Sequence, residues 1–401
     1  MEKSGNAMLN PDFILTPKVS IEELAKMAAD SADVLEQVRD AMLEPFPRKQ
    51  APHFTVPQVA TLCAVDRVQF KHLAKKHQLP DGSLRNNEKT RTYTLEEAIL
   101  CVKTLGKRAS RPAGKPGKII VISNYKGGVN KTTSAVCIAQ GLALRGLKVL
   151  LIDLDGQGSA TMLAGLSPEL EIEHDHTIMP YLYGEQTDLR YAVRDTYWHN
   201  MDLIPASSAL LAAEFVIPAK ARDATMLAQG YEFWMEITNG LEPLRAEYDV
   251  MVVDTSPSLG YLTQNAMVAA DGLLMPCPLD ALDYASSTQF WGVFAELAAT
   301  LPSFAITKEY DFVEVFLTKT KSESDLMASA VRGWIQASYG THLSAIGIPD
   351  SSVAKAAATQ LKTIYDLHKP DGSIEAYKRY KEPMDLLVDH VLGQLTLAWR
   401  R

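Results

Sequence analysis

A strand, a glycine-rich turn and a helix follow one another without interruption between residues 119 and 144 of this chain. The apolar run Ile-Ile-Val-Ile at 119–122 predicts a buried strand, and Ser134–Leu144 has the composition of a helix. Between them stands Ser-Asn-Tyr-Lys-Gly-Gly-Val-Asn-Lys-Thr-Thr. A loop in this position predicts a phosphate-binding site, because its backbone N–H groups and the positive end of the helix both face the anion.

Each polar or small residue of this loop has a chemical role. Gly127 and Gly128 let the backbone close around phosphate oxygens without Cβ clashes. Lys131 supplies a cation to the β- and γ-phosphates, and the Thr132 hydroxyl reaches Mg²⁺, so we expect ATP or ADP with Mg²⁺. Asn130 stands where the strict motif has glycine. Asn tolerates a positive φ, so the turn is preserved, while its side chain crowds the γ-phosphate and slows hydrolysis.

Beyond the loop, β-rich runs alternate with helical patterns, which predicts an α/β domain with a parallel sheet covered by helices on both faces. The predicted strands are Ile119–Ser123, Val149–Asp153, Leu203–Pro205, Val250–Asp254, Gly272–Pro276 and Val313–Thr318.

Three aspartates stand at the ends of two of these strands. Asp153 and Asp155 are two residues apart, so on a strand they face the same side, and Asp254 ends another strand. Carboxylates beside a phosphate loop are typical Mg²⁺ partners.

Lys126-Gly-Gly-Val-Asn-Lys-Thr-Thr133 resembles the deviant Walker A motif of the ParA/MinD ATPases, K-G-G-x-G-K-T-[ST]. The resemblance implies a P-loop NTPase in which Lys126 crosses an ATP-sandwich homodimer to the partner's nucleotide. It also implies that Asp155 activates water, that Asp153 supports the metal site and that Asp254 holds Mg²⁺ through a water. Gly156 and Ser256 depart from the family's D-x-D-P-Q and D-T-P-P-x-L-G motifs. The implied nucleotide-binding residues are Lys126, Gly127, Gly128, Val129, Asn130, Lys131, Thr132, Thr133, Thr318 and Pro349, with Lys126, Lys131 and Asp155 catalytic and Thr132, Asp153 and Asp254 at the metal.

Composition shifts divide the rest of the chain. We expect a flexible tail at 1–17, an amphipathic helix at 18–48 that packs on its own chain or on a second copy, a compact unit at 49–105, a linker at 106–117 and the ATPase domain at 118–401. Residues 66–118 hold 13 Lys/Arg against 5 Asp/Glu, a net +8 that leaves −16 for the rest of a chain of net charge −8. Such a basic island indicates a polyanion partner.

The unit at 49–105 has the outline of a winged helix-turn-helix. Two predicted helices, 54–65 and 66–77, are followed by a basic hairpin over 84–94 and by a helix capped at Thr94. The layout resembles the DNA-binding units of long plasmid partition ATPases, and a small adaptor with a solvated basic face is the alternative. The candidate DNA-binding residues are Arg67, Gln69, Lys71, Lys75, Lys76, Arg85 and Arg91.

The resemblance as a whole implies a cytoplasmic, nucleoid-associated ATPase of plasmid or chromosome partition. Its ATP-bound dimer would bind nonspecific DNA, a ParB-like centromere-binding partner would stimulate weak hydrolysis, and the ADP or apo form would repress its own operon. A nucleotide-responsive repressor with negligible turnover is the main alternative. Four scattered cysteines argue against an iron–sulfur reductase, and the few cations of the last helix argue against membrane binding.

Overall fold

The computed structural model describes residues 18–43, 49–84, 90–106, 110–228, 230–300, 308–321, 325–367 and 373–401. The chain divides into two compact units, residues 1–49 and 50–401. The predicted tail at 1–17 lies outside the described residues.

The first unit contributes one helix, α1 (Ile21–Leu43). The sequence Ser20-Ile-Glu-Glu23 at the start of the helical pattern predicts a capping box, and it is present: the Ser20 N–H donates to the Glu23 carboxylate at 2.7 Å, and the Glu23 N–H donates to the Ser20 hydroxyl at 3.1 Å. Ile21, Leu24 and Met27 are exposed. Leaving such side chains in water is unfavourable, which keeps open the expectation that this helix packs on a second copy.

An eight-stranded sheet forms the centre of the second unit, in the order β10-β9-β8-β3-β7-β4-β6-β5. All neighbours are parallel except β5, which pairs antiparallel with β6 at the edge. The strands are β3 (Lys118–Ile122), β4 (Val149–Leu154), β5 (Arg194–Asp195), β6 (Met201–Ile204), β7 (Val250–Thr255), β8 (Gly272–Pro278), β9 (Phe312–Thr320) and β10 (Leu343–Pro349).

Helices cover both faces of the sheet, as the alternating pattern predicts. Ile120 and Ile122 of β3 face one hydrophobic core, while Ile119 and Val121 face the other. The helices of the whole unit are α2 (Val56–Leu62), α3 (Arg67–Lys76), α4 (Leu95–Leu105), α5 (Lys131–Leu144), α6 (Ser159–Leu163), α7 (Met179–Leu182), α8 (Ala213–Lys220), α9 (Ala224–Ala228), α10 (Glu236–Leu241), α11 (Tyr261–Ala269), α12 (Ala281–Thr300), α13 (Leu326–Tyr339), α14 (Ser352–Thr359) and α15 (Ile374–Arg400).

The segment ahead of the sheet differs in detail from its prediction. Residues 54–55 are not helical but form β1 (Phe54–Thr55), which pairs antiparallel with β2 (Thr92–Tyr93). Extended pairing to 92–93 outweighs the helical pattern there, and α2 begins only at Val56. Asp66 caps α3 by accepting from the Val68 and Gln69 N–H groups at 2.7 and 2.8 Å.

Helix α4 belongs to two hydrophobic cores at once. Ala98, Cys101 and Val102 are buried with Phe70 of α3 in a small core of the N-terminal segment. Leu95 and Ile99 are buried in the core that contains α5 and α15. The segment is therefore packed directly against the helix that follows the phosphate loop.

Residues 110–117, which the composition predicts as linker, are fixed to the ATPase portion. Arg111 donates to the Asp249 carboxylate at 2.8 Å and to the Arg245 and Ala246 carbonyls at 2.9 and 3.1 Å. The Trp399 indole N–H donates to the Pro116 carbonyl at 3.2 Å. Glycine and proline content cannot show such bonds, because their acceptors come from distant parts of the chain.

Candidate nucleotide and metal site

The loop between β3 and α5 has the backbone conformation that its sequence demands. Gly128 has φ 71°, and Asn130 has φ 73° and ψ 26°, both in the left-handed region. The expectation that Asn130 takes a positive φ in place of glycine is confirmed. A Cβ built on Gly127 or Gly128 meets no atom within 4 Å, so the space above the loop is open to a ligand.

Three contacts fix this loop from within the protein. The buried Asn124 side chain accepts from the Lys126 N–H at 3.1 Å and donates to the Pro276 carbonyl at 2.8 Å. At the other end, the Thr318 hydroxyl donates to the Val129 carbonyl at 3.2 Å. The loop is thus tied to both β8 and β9 beneath it.

Lys131 lies inside the loop rather than on the surface. Its side chain is buried, and its Nζ donates to the Lys126 carbonyl at 2.7 Å. Burial lowers the pKa of this ammonium, while Asp254 and Asp155 act in the opposite direction. A buried cation next to open space is suited to phosphate oxygens, which would replace the carbonyl as its partner.

Asp153 and Asp254 are aligned on the neighbouring strands β4 and β7. Both are fully buried. Asp153 is already bonded: it accepts from the Thr161 N–H and hydroxyl, both at 2.8 Å, and from the Asp155 N–H at 3.1 Å. Burial raises the pKa of Asp153 to about 6, against these hydrogen bonds.

Asp254 is in a different state, since neither of its oxygens has a hydrogen-bond partner among the residues that the structure describes. Burial and the adjacent Asp153 raise the pKa of Asp254 well above its ordinary value, with Thr132 and Lys131 opposing them. A buried carboxylate without partners is costly unless a cation or a water compensates it. The donor set of Asp254 and the Thr132 hydroxyl therefore fits Mg²⁺ and its waters.

Asp155 stands at the open side of the same edge. It is half-buried, and its carboxylate accepts from the Gln157 N–H at 3.0 Å. The negative charge of Asp155 raises the pKa of both Lys131 and Asp254, so Asp155 lies near both groups. The structure thus brings together the loop and all three predicted aspartates.

Lys126 makes an ion pair with Asp283 of the same chain, in the first turn of α12. The two side chains are 38% and 14% exposed. The sequence predicts that Lys126 reaches another subunit, and it does not reveal this internal partner. Asp283 follows β8, whose carboxyl end lies next to the loop because β8 pairs with β3.

Two predicted nucleotide-contact residues, Thr318 and Pro349, lie on adjacent strands. Thr318 is fully buried below the loop. Pro349 ends β10, where it is aligned with Thr320 of β9. Their contact with adenine stays a prediction. Asn124, which the sequence analysis missed, carries no signal beyond its place at the start of the loop.

Four of the seven predicted DNA-contact residues line one cleft of the N-terminal segment. Arg67, Lys71, Lys75 and Arg91 line a cleft of about 980 Å³, together with the acidic Asp81. Gln69 and Lys76 are also exposed on α3, and Arg85 lies outside the described residues.

Several known proteins resemble this chain in sequence. A family described as an AAA domain matches residues 117–312. Protein SopA of Escherichia coli K12 is 28% identical over 326 residues, which cover 80% of this chain and 82% of SopA. The chain is similar to partition ATPases of the ParA/MinD type. The sporulation initiation inhibitor protein Soj of Bacillus subtilis, 36% identical over 170 residues, covers 42% of this chain, and the match spans 61% of Soj.

Solved structures share the fold of this chain. A structure titled "Partition Protein" is 20% identical, covers 93% of this chain and 97% of its own, and has a TM-score of 0.63. The structure of a putative plasmid partition protein from Borrelia burgdorferi bound to AMPPNP is 21% identical, covers 69% of this chain and 99% of its own, and has a TM-score of 0.51. In the described part of the present chain, none of the helices combines the length and the apolar composition that a membrane span requires.

Proposed function

We propose that this protein is an ATP-hydrolysing switch that drives plasmid or chromosome partition. The observation that carries the proposal is that an open phosphate loop has beside it a buried lysine, Lys131, and a buried carboxylate, Asp254, whose oxygens accept no hydrogen bond from the described residues. Lys131 binds the β- and γ-phosphates, Thr132 and Asp254 hold Mg²⁺ with its waters, and Asp153 supports that site. When bound, Mg²⁺ neutralises charge on the phosphate oxygens.

The remaining residues of the site position the reactants. Asp155, at the open side, orients the attacking water by accepting a hydrogen bond from its O–H group. Lys126 leaves Asp283 and crosses to the nucleotide of a second copy, so the ATP state is a homodimer. The Asn130 side chain beside the γ-phosphate keeps turnover slow until a ParB-like partner stimulates it.

DNA binding has two parts in this proposal. The ATP dimer binds DNA without sequence preference, in the cytoplasm and on the nucleoid. In the ADP or apo state, the basic cleft that Arg67, Lys71, Lys75 and Arg91 line acts as part of a winged helix-turn-helix that represses the protein's own operon. Four cations line that cleft against one carboxylate, which supports a polyanion partner over an adaptor surface.

ATP binding and hydrolysis by the full-length protein test the proposed site. Lys131→Ala removes charged hydrogen bonds worth about 1.5–3 kcal/mol, so the Kd for ATP should rise about 10- to 100-fold. Asp254→Asn should abolish the Mg²⁺ dependence of that affinity. Lys148→Ala, at the opposite end of the sheet, is the matched control and should bind as the parent does. An equal loss in all three variants would refute the assignment.

A nucleotide-responsive repressor with negligible turnover is the second candidate. It is favoured by the direct packing of α4 between the cleft-bearing α3 and the phosphate-loop helix α5. Steady-state phosphate release in the presence of DNA and partner protein separates the two candidates. Stimulated release supports the partition switch, and operator binding without any release supports the repressor.

A further inference from the structure

Thr318 is fixed in place by the sheet and not by the loop that it touches. It is fully buried, its Cα is aligned with Pro278 of β8, and its carbonyl accepts from the Leu279 N–H at 3.1 Å. From this position its hydroxyl donates to the Val129 carbonyl at 3.2 Å. The hydroxyl is therefore a fixed point against which the loop is held.

The direction of this bond sets the direction of the next N–H group. In a trans peptide the C=O and N–H bonds point to opposite sides. Because the Val129 carbonyl points toward Thr318 and the sheet, the Asn130 N–H points away from β9. Asn130 is the N-cap of α5, where backbone N–H groups have no partner within the helix and are available to an anion.

Because residue 130 is asparagine and not glycine, the orientation of the Val129–Asn130 peptide depends on the hydrogen bond from Thr318. The Asn130 φ of 73° lies in the left-handed region, which asparagine tolerates but which is less favourable for it than for glycine. A strained conformation persists only where the surroundings hold it. Rotation of the Val129–Asn130 peptide would relieve the strain at Asn130, and it would also turn the N–H out of the phosphate site.

We propose that Thr318 is a positioning residue that holds the Val129–Asn130 peptide with its N–H toward the phosphates, in compensation for the asparagine at a glycine position. The proposal rests on the proposed nucleotide binding at this loop. It predicts a coupling between positions 318 and 130, transmitted through the Val129 carbonyl that Thr318 contacts.

A double-mutant cycle on the full-length protein tests this role, with ATP–Mg²⁺ affinity as the readout. Thr318→Val keeps the shape and removes the hydroxyl, so the Kd for ATP should rise about tenfold, the effect of about 1.4 kcal/mol from an unsatisfied buried carbonyl. In an Asn130→Gly background the same change should raise Kd less than about threefold. Thr238→Val, which removes the buried hydroxyl of a half-buried threonine, is the control and should leave Kd unchanged.

The Ser and Ala variants of Thr318 keep the test valid if Thr318→Val does not fold. Both changes remove the methyl group, and only Thr318→Ser keeps the hydroxyl donor. Thr318→Ser should therefore bind ATP as the parent does, while Thr318→Ala should show the rise in Kd. The proposal is overturned if Ser and Ala behave alike, or if the loss is the same with Asn130 and with Gly at that position. Failure of the parent protein to bind ATP would instead refute the proposed function.

Discussion

The ion pair between Lys126 and Asp283 leads to a quantitative prediction about nucleotide-dependent association. In the proposed dimer each Lys126 must leave its own Asp283 before it can reach the partner's nucleotide. Asp283→Asn removes the charge that retains the lysine, and Lys126 is exposed enough to be hydrated without a partner. The variant should therefore associate more tightly in the ATP state.

The magnitude follows from the exposure of the pair and the symmetry of the dimer. An ion pair in which the lysine is 38% exposed contributes about 1 kcal/mol at most, because solvent screens it. Two such pairs break for each dimer, which gives about 2 kcal/mol, or roughly a 30-fold lower dissociation constant.

Sedimentation velocity with ADP and with a hydrolysis-resistant ATP analogue measures this association step. Asp280→Asn is the matched control, because Asn preserves the acceptor that caps α12 through the Leu282 N–H at 2.9 Å while the same charge is lost. It should associate as the parent does. Equal dissociation constants for the parent and Asp283→Asn would show that the ion pair does not restrain Lys126.

Three further predictions concern other parts of the chain. Lys71→Ala with Lys75→Ala should weaken binding to all duplexes and reduce the slope of log K against log salt by about two, measured by fluorescence anisotropy at several salt concentrations. Arg111→Ala should lower the free energy of unfolding in urea by about 2–3 kcal/mol, because Asp249 loses its charged partner. An unchanged urea midpoint would show that Arg111 does not anchor this segment. The hydrogen bond to Glu314 raises the pKa of His390. Its stabilisation is therefore complete below pH about 6.5 and lost as pH rises through the raised pKa, so the stability gap between the parent and His390→Gln should close toward alkaline pH.

Local sequence signals predicted the parts of this structure that depend on local chemistry. The order of strand, glycine-rich loop and helix predicted the phosphate loop, and Asn130 has the positive φ expected of it. The Ser20 and Thr94 capping boxes are also present, because capping uses residues three apart in the chain. The six predicted strands all exist, with ends that differ by a few residues.

What could not be predicted depends on contacts between distant residues. The strand Leu343–Pro349 was missed because an edge strand lacks the continuous apolar run of a central one. The contacts of Asp283 and Thr318 with the loop arise only because β8 lies beside β3 and β9 lies beside β8 in the sheet. The anchoring of Arg111 to Asp249 likewise joins residues far apart in sequence. Composition therefore predicted a linker at 106–117 without showing that Arg111 anchors it to Asp249.

Binding to random-sequence duplex DNA without nucleotide, with ADP and with ATP–Mg²⁺ tests the proposed switch most directly. We predict that the protein binds this DNA at moderate salt only with ATP–Mg²⁺, and that Lys126→Ala and Lys131→Ala each abolish the binding. Lys148→Ala should bind as the parent does. Binding that is the same in all three nucleotide states, or that requires one specific duplex in every state, would contradict a nucleotide-switched partition ATPase and favour the repressor.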